Sequence, residues 1–193
     1  MRMSKNLRLT ICVGALLAPF LSGPAGADDH NNNNQYSASF SGFQEIGSLT
    51  GPTGAILSPG RGNLTLNVAK DNQSVNFKLT YSGFTNNVTQ SHIHFGKEHV
   101  AGGIMVYFCT NLTTPPPAPP ATKPQPCPLT DGTVSGTLTP SDVIGPTGQN
   151  VKAGDFTALL AALKSNTAYG NIHTTAFPSG EIRGQILRSE NDD

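Results

Sequence analysis

Four histidines in this chain are spaced so that they could hold a metal ion. His92 and His94 stand two apart in residues 90–96, a segment whose alternation reads as a β-strand. Both imidazoles therefore leave one face, and Ile93 and Phe95 leave the other, towards a core. His173 lies far along the chain in residues 169–174, a second strand-like run in which Tyr169, Asn171 and His173 share a face and Ile172 takes the opposite one. If these two strands lie near each other, three imidazoles meet on the outer, wet face of a sheet. Neutral imidazoles suit copper or zinc, and the order of affinities favours copper. His99, a short loop beyond His94, is a candidate fourth ligand, and Glu98 or Asn171 could orient a ligand by hydrogen bond. The plain alternative is a polar face on which Thr, Asn and His exchange hydrogen bonds. His30, in a polar leader, takes no role.

The elements that would position these residues are short strands. Tyr36, Ala38 and Phe40 alternate with serines, Leu64, Leu66 and Val68 with Asn63, Thr65 and Asn67, and Val75, Phe77, Leu79 and Tyr81 with Asn76, Lys78 and Thr80. Period 2 with one apolar face places one side on a core and the other in water. Lys70-Asp71-Asn72-Gln73 between the last two runs is turn chemistry and predicts a hairpin. Further strands are read at residues 90–96, 104–110, around Val134 to Leu138, 169–174 and 181–188. Residues 155–166 carry Phe156, Leu159, Leu160 and Leu163 at helical spacing, with Asp155 as the cap. The count is about eight short strands and one short helix, which predicts an all-β fold, a Greek-key-like sandwich or small barrel. Gly-Pro-Thr-Gly, found at 51–54 and again at 145–148, reads as two turns. Residues 113–128 are dominated by proline, which lacks the ladder donor, and read as a surface insertion loop.

The chain has 193 residues and balanced charge. Arg2, Lys5 and Arg8 precede an apolar run from Leu9 to Leu21, and Ala25-Gly26-Ala27 follows. That order predicts a signal peptide over residues 1–27, cleaved after Ala27, then a polar leader at 28–35, a domain at 36–188 and a tail at 189–193. The apolar run is shorter than the roughly 20 residues of a membrane span. Cleavage leaves nine basic against twelve acidic residues, so there is no basic patch for nucleic acid. Cys12 leaves with the signal, and Cys109 and Cys127 remain as an even pair, which in an exported chain reads as a disulfide. Asn63, Asn72, Asn87 and Asn111 each open an N-x-[ST] sequon, an acceptor only in a host that glycosylates. No Ser-His-Asp or Cys-His motif, phosphate-binding glycine loop or hydrolytic carboxylate pair stands out.

Three segments together resemble the CHRD (chordin) domain family: Ser41-Gly42-Phe43-Gln44-Glu45 with Gly54-Ala55 after it; Ser91-His92-Ile93-His94-Phe95-Gly96; and Tyr169-Gly170-Asn171-Ile172-His173-Thr174 followed by residues 178–186, PSGEIRGQI. Ile46-Gly47-Ser48 departs from the proline-containing turn frequent there, and the Pro-rich stretch looks like an insertion. The resemblance implies an extracellular β-domain and little chemistry, because the family's namesake, a secreted growth-factor antagonist, is credited with ligand binding through other modules. The His-x-His also looks like that of copper–zinc superoxide dismutase, a β-barrel with copper on the outside of its sheet. In that comparison Arg183 would stand beside a copper ion; otherwise Glu181 and Arg183, on one face of the last strand, would join cross-strand ion pairs. Three functions follow as expectations: an exported binding module holding a partner protein or metal, a copper-dependent redox enzyme, or a structural domain with no small-molecule site.

Overall fold

The alternating runs fold as antiparallel strands in the computed structural model, which describes residues 34–47, 54–114 and 123–189. In chain order they are β1 (Gln35–Ser41), β2 (Arg61–Val68), β3 (Val75–Ser82), β4 (Val88–Phe95), β5 (Gly103–Thr110), β6 (Gly132–Leu138), β7 (Ala168–Thr174), β8 (Ile182–Gln185) and β9 (Leu187–Arg188). One helix, α1 (Phe156–Lys164), lies between β6 and β7. The hairpin expected at Lys70–Gln73 pairs β2 with β3 in unbroken register, from Arg61 opposite Ser82 to Val68 opposite Val75. Leu64, Leu66, Val75 and Leu79 are buried on the inner face, and the residues between them stay in water, as a two-residue period requires. The expected signal peptide, nearly all of the polar leader and the tail beyond Ser189 lie outside the described residues; Gln35 opens β1. No helix among the described residues is long and apolar enough to cross a membrane.

Hydrogen bonding runs β5-β4-β7-β8-β1-β2-β3-β6, with β9 beside β1. This antiparallel path curls into a nearly closed barrel around an apolar interior that includes Phe40, Phe77, Ile93, Phe108, Ile172 and Ile182. Phe77 and Phe108 meet there with ring centroids 4.8 Å apart. Gly170 matters to this interior because a Cβ there would sit 2.5 Å from the Phe40 ring. The last run expected as one strand is broken at Ile186, which is fully buried and donates its N–H to Ala168 O.

The seam between β5 and β6 is closed by the second half of the Pro-rich stretch. Thr110 N–H donates to Gln125 O at 2.9 Å, and Gln125 Nε2 donates to Ser135 O at 3.0 Å. Cys127 N–H donates to Asn111 Oδ1, and its sulfur is bonded to Cys109 of β5. Residues 115–122 lie outside the described residues; residues 123–128 are stapled by the expected disulfide, and they also form a hydrogen-bonded strap across the seam instead of a surface excursion. Proline removes only its own donor, and Gln125 and Cys127 keep theirs.

Helix α1 begins as expected, with the Asp155 carboxylate accepting from Ala158 N–H at 3.0 Å. It buries Phe156, Leu159, Leu160 and Leu163. The turn at Gly145–Gly148 leads into a 3-10 turn, Thr147–Gln149. Gln149 then pins the open ends of β4 and β5, accepting from Gly103 N–H at 2.7 Å and donating to Phe95 O at 2.9 Å.

Candidate metal centre

β4 and β7 are neighbours, so the register decides which side chains meet. His92 lies opposite Asn171, His94 opposite Tyr169, and Gln90 opposite His173. Across the other edges, Tyr107 of β5 lies opposite His92 and Arg183 of β8 opposite Asn171. A cross-strand row Tyr107–His92–Asn171–Arg183 results, with His94, Tyr169 and His173 beside it on the same face. Ile93, Ile172 and Ile182 take the opposite face and are buried in the barrel.

The imidazoles gather closely. His92 lies 4.6 Å, ring centre to ring centre, from both His94 and His173. One ring nitrogen from each of the three lies within 4.8 Å of those of the other two. Nitrogens around a tetrahedral ion with bonds of 2.0–2.1 Å stand about 3.4 Å apart, so ring rotations of about an ångström would bring these to ligating distance. His94 Nδ1 is 2.8 Å from Gly102 O, and His173 Nδ1 is 2.8 Å from Pro178 O. A carbonyl only accepts, so each ring carries its proton on Nδ1 and keeps a bare lone pair on Nε2. The Nε2 of His173 and both ring nitrogens of His92 are buried without a hydrogen bond. Asn171 lies near enough to favour the charged form of His92, but at no ring nitrogen of His92 does the geometry make a hydrogen bond.

The expectation of a wet face is corrected. His92, His94 and His173 are 1%, 8% and 7% exposed, and every residue of β7 is buried. Period 2 identifies the two faces of a strand but not what lies over them. Here the segment after β4 covers His94 with the Gly102 carbonyl, and the turn after β7 covers His173 with that of Pro178. Burial accordingly holds all three imidazoles below their usual range. For His92 the depression is strong, with the neighbouring His94 and His173 adding to burial; His94 is lowered to about 4, mainly by burial. His173 is also lowered by burial, while its bond to Pro178 opposes the shift.

The remaining candidates divide. Asn171 Oδ1 is 3.2 Å from His94 Nε2. His99 stands outside the triad: its side chain is 77% exposed, and its Nε2 is 3.5 Å from the equally exposed Glu98. Arg183 does reach the cluster, but by stacking. Its guanidinium carbon lies 3.4 Å over the Tyr169 ring, and that ring stacks on His94 at 4.7 Å with planes 2° apart. Arg183 Nη2 also donates to Lys97 O and Val100 O, holding down the covering segment. Glu181 is buried and accepts from the hydroxyls of Ser58 and Thr174, so hydroxyls take the place of the cross-strand ion pair expected for it.

Sequence reasoning gave no role to Glu45, which is 3% exposed. Its Oε1 accepts from the N–H groups of Ile46 and Gly47. Burial pushes its carboxyl up despite those bonds and the charge of Arg183. Tyr107, edge-on to His92 at 5.0 Å, was missed too. The signal for Glu45 lay in the Ser-Gly-Phe-Gln-Glu segment itself, where an acidic side chain ends a run leading out of a strand.

Fold and cluster together define an antiparallel β-barrel with a buried imidazole triad on the outer side of its sheet. The chain belongs to the CHRD domain family, whose pattern it matches over residues 36–186. No curated protein and no solved structure shows significant similarity to it.

Proposed function

We propose that this CHRD-domain protein is an exported binding module that holds a transition-metal ion, copper ahead of zinc, through His92, His94 and His173. The observation that carries this reading is the pair of backbone carbonyls at Gly102 and Pro178. Each commits the Nδ1 proton of one imidazole and turns a lone pair on Nε2 towards its neighbours, which is how metal-ligating histidines are oriented. A purely structural histidine gains by bonding both nitrogens, yet here three of the six ring nitrogens are buried without a partner, an arrangement that costs stability unless something else pairs with them. Copper is favoured because imidazole sites bind Cu(II) more tightly than other first-row divalent ions. Burial of all three rings supports holding an ion over turning over a substrate, which needs an open coordination position. The pattern of residues 1–27 supports export, and so does the disulfide, which persists in oxidising compartments.

The test is a chelator-competition titration of the purified protein with Cu(II) and Zn(II). Parent and His173→Ala chains should both also carry His30→Ala. Cleavage after Ala27 would put His30 third from a free amino terminus, an arrangement that chelates Cu(II) by itself. One ion per parent chain, with affinity at least tenfold lower in His173→Ala, is the expected result. A parent that binds no more tightly than a chain lacking His92, His94 and His173 would end the proposal. Superoxide dismutation by the loaded parent would replace holding with redox turnover.

A further inference from the structure

We infer that Asn171 is a fourth donor to the ion, its Oδ1 joining the three imidazole nitrogens while Glu45 holds the amide in the orientation this needs. The inference rests on the metal-binding reading above and deepens it.

Asn171 sits at the middle of the cluster. Its register places it directly opposite His92 on one side and Arg183 on the other, and it is 3% exposed. Its Oδ1 is 3.2 Å from His94 Nε2. The proton of the neutral His94 ring is on Nδ1, facing Gly102 O. Nε2 and Oδ1 are therefore two acceptors turned towards each other, which is not a hydrogen bond.

Rotating the amide by half a turn would present its NH₂ group to His94, but Glu45 opposes this. Asn171 Nδ2 and the Glu45 carboxylate lie side by side, both within contact distance of the position a Cβ on Gly180 would occupy. Glu45 Oε1 already accepts two backbone N–H groups, while Oε2 receives no described hydrogen bond and is free to face the amide nitrogen. In the rotated arrangement the amide oxygen would meet a carboxylate instead. Whichever way the amide turns, an acceptor confronts an acceptor at one end. A cation bound by both Nε2 and Oδ1 converts that confrontation into coordination, and it does so with the NH₂ group still beside Glu45.

Three nitrogens and one amide oxygen make a closed four-donor set of the kind found in sites that hold an ion. An oxygen donor favours divalent Cu(II) or Zn(II) over the softer Cu(I). Asn171 thus biases the site towards a divalent ion and against Cu(I).

The experiment compares the parent with Asn171→Leu, which keeps the side-chain shape without a donor, and Asn171→Asp, which keeps an oxygen donor. Folding is checked by thermal unfolding. Cu(II) and Zn(II) affinities are measured by chelator competition, Cu(I) affinity anaerobically, and the Cu(II) EPR spectrum is recorded for each. Asn171→Leu should lose on the order of ten- to a hundredfold in Cu(II) and Zn(II) affinity, keep its Cu(I) affinity within threefold and shift the EPR parameters. Asn171→Asp should bind Cu(II) at least as tightly as the parent. Unchanged Cu(II) affinity and an unchanged spectrum in Asn171→Leu would overturn the inference. So would equal losses in both variants, which would make Asn171 a positioning residue only. If Asn171→Leu does not fold, Asn171→Asp decides: retained or tighter binding supports the inference, and weaker binding refutes it. A parent that binds no ion refutes the metal reading itself, an outcome separate from all of these.

Discussion

Acidifying the metal-free protein should destabilise it already between pH 7 and pH 5, above the range in which ordinary carboxylates titrate. His94 has an ordinary imidazole pKa near 6.5 in the unfolded chain and about 4 in the fold. Between those values the unfolded chain binds the proton and the folded chain does not, so stability falls as pH falls. The full difference corresponds to roughly 3 kcal/mol, of which about 2 kcal/mol is lost between pH 7 and pH 5. His92 and His173 are depressed too and act in the same direction. The other charged groups at the cluster do not cancel this. Glu45 has its carboxyl raised by burial, so its protonation favours the fold at the lower end of the window. Arg183 keeps its charge over this range. Urea unfolding in the presence of chelator, followed by circular dichroism at pH 7, 6 and 5, measures the effect. The midpoint should drop steadily in the parent and less steeply in His94→Gln. A parent midpoint that is flat or rises on acidification would show that the imidazoles titrate normally, and the argument from their burial would fail.

Three further outcomes are expected. Replacing Cys109 and Cys127 by alanine should cost about 3 kcal/mol on loop-entropy grounds for a closure of 18 residues, read as a lower urea midpoint, and should open the seam that Gln125 bridges. Gly102→Ala should weaken Cu(II) binding at least tenfold as well as lower stability, because a Cβ there would overlap Phe95 O and displace the carbonyl that holds the His94 proton; chelator competition reads this. His99→Ala should leave Cu(II) affinity unchanged within about twofold, as expected of a ring exposed to solvent and beside Glu98.

Much of this fold was legible because strands such as β2 and β3 obey a two-residue period. The runs through Leu64 and Val75, separated by Lys-Asp-Asn-Gln, specified a hairpin, and the structure pairs them as one. Asp155 and the Phe156, Leu159, Leu163 stripe specified the helix. Which histidines share a face was legible for the same reason, since His92, His94, Asn171 and His173 differ by even numbers within their strands. Their burial was not legible. It comes from the Gly102 and Pro178 carbonyls, backbone atoms in irregular segments whose path no periodicity encodes. Glu45 stayed unassigned because its neighbours, Asn171 and Arg183, lie more than a hundred residues further along the chain and are brought to it by the β1–β8 pairing and by β7 beside β8. The strap at residues 123–128 was hidden by the prolines around it, which describe what cannot pair and are silent about Gln125.

Crystals of the protein grown with copper and measured on both sides of the copper absorption edge test the central claim most directly. The account expects one anomalous peak within about 2.0–2.1 Å of His94 Nε2, His173 Nε2 and a ring nitrogen of His92. An anomalous map with no peak among those three rings, or with copper bound only at exposed His99 or near the amino terminus, would contradict it.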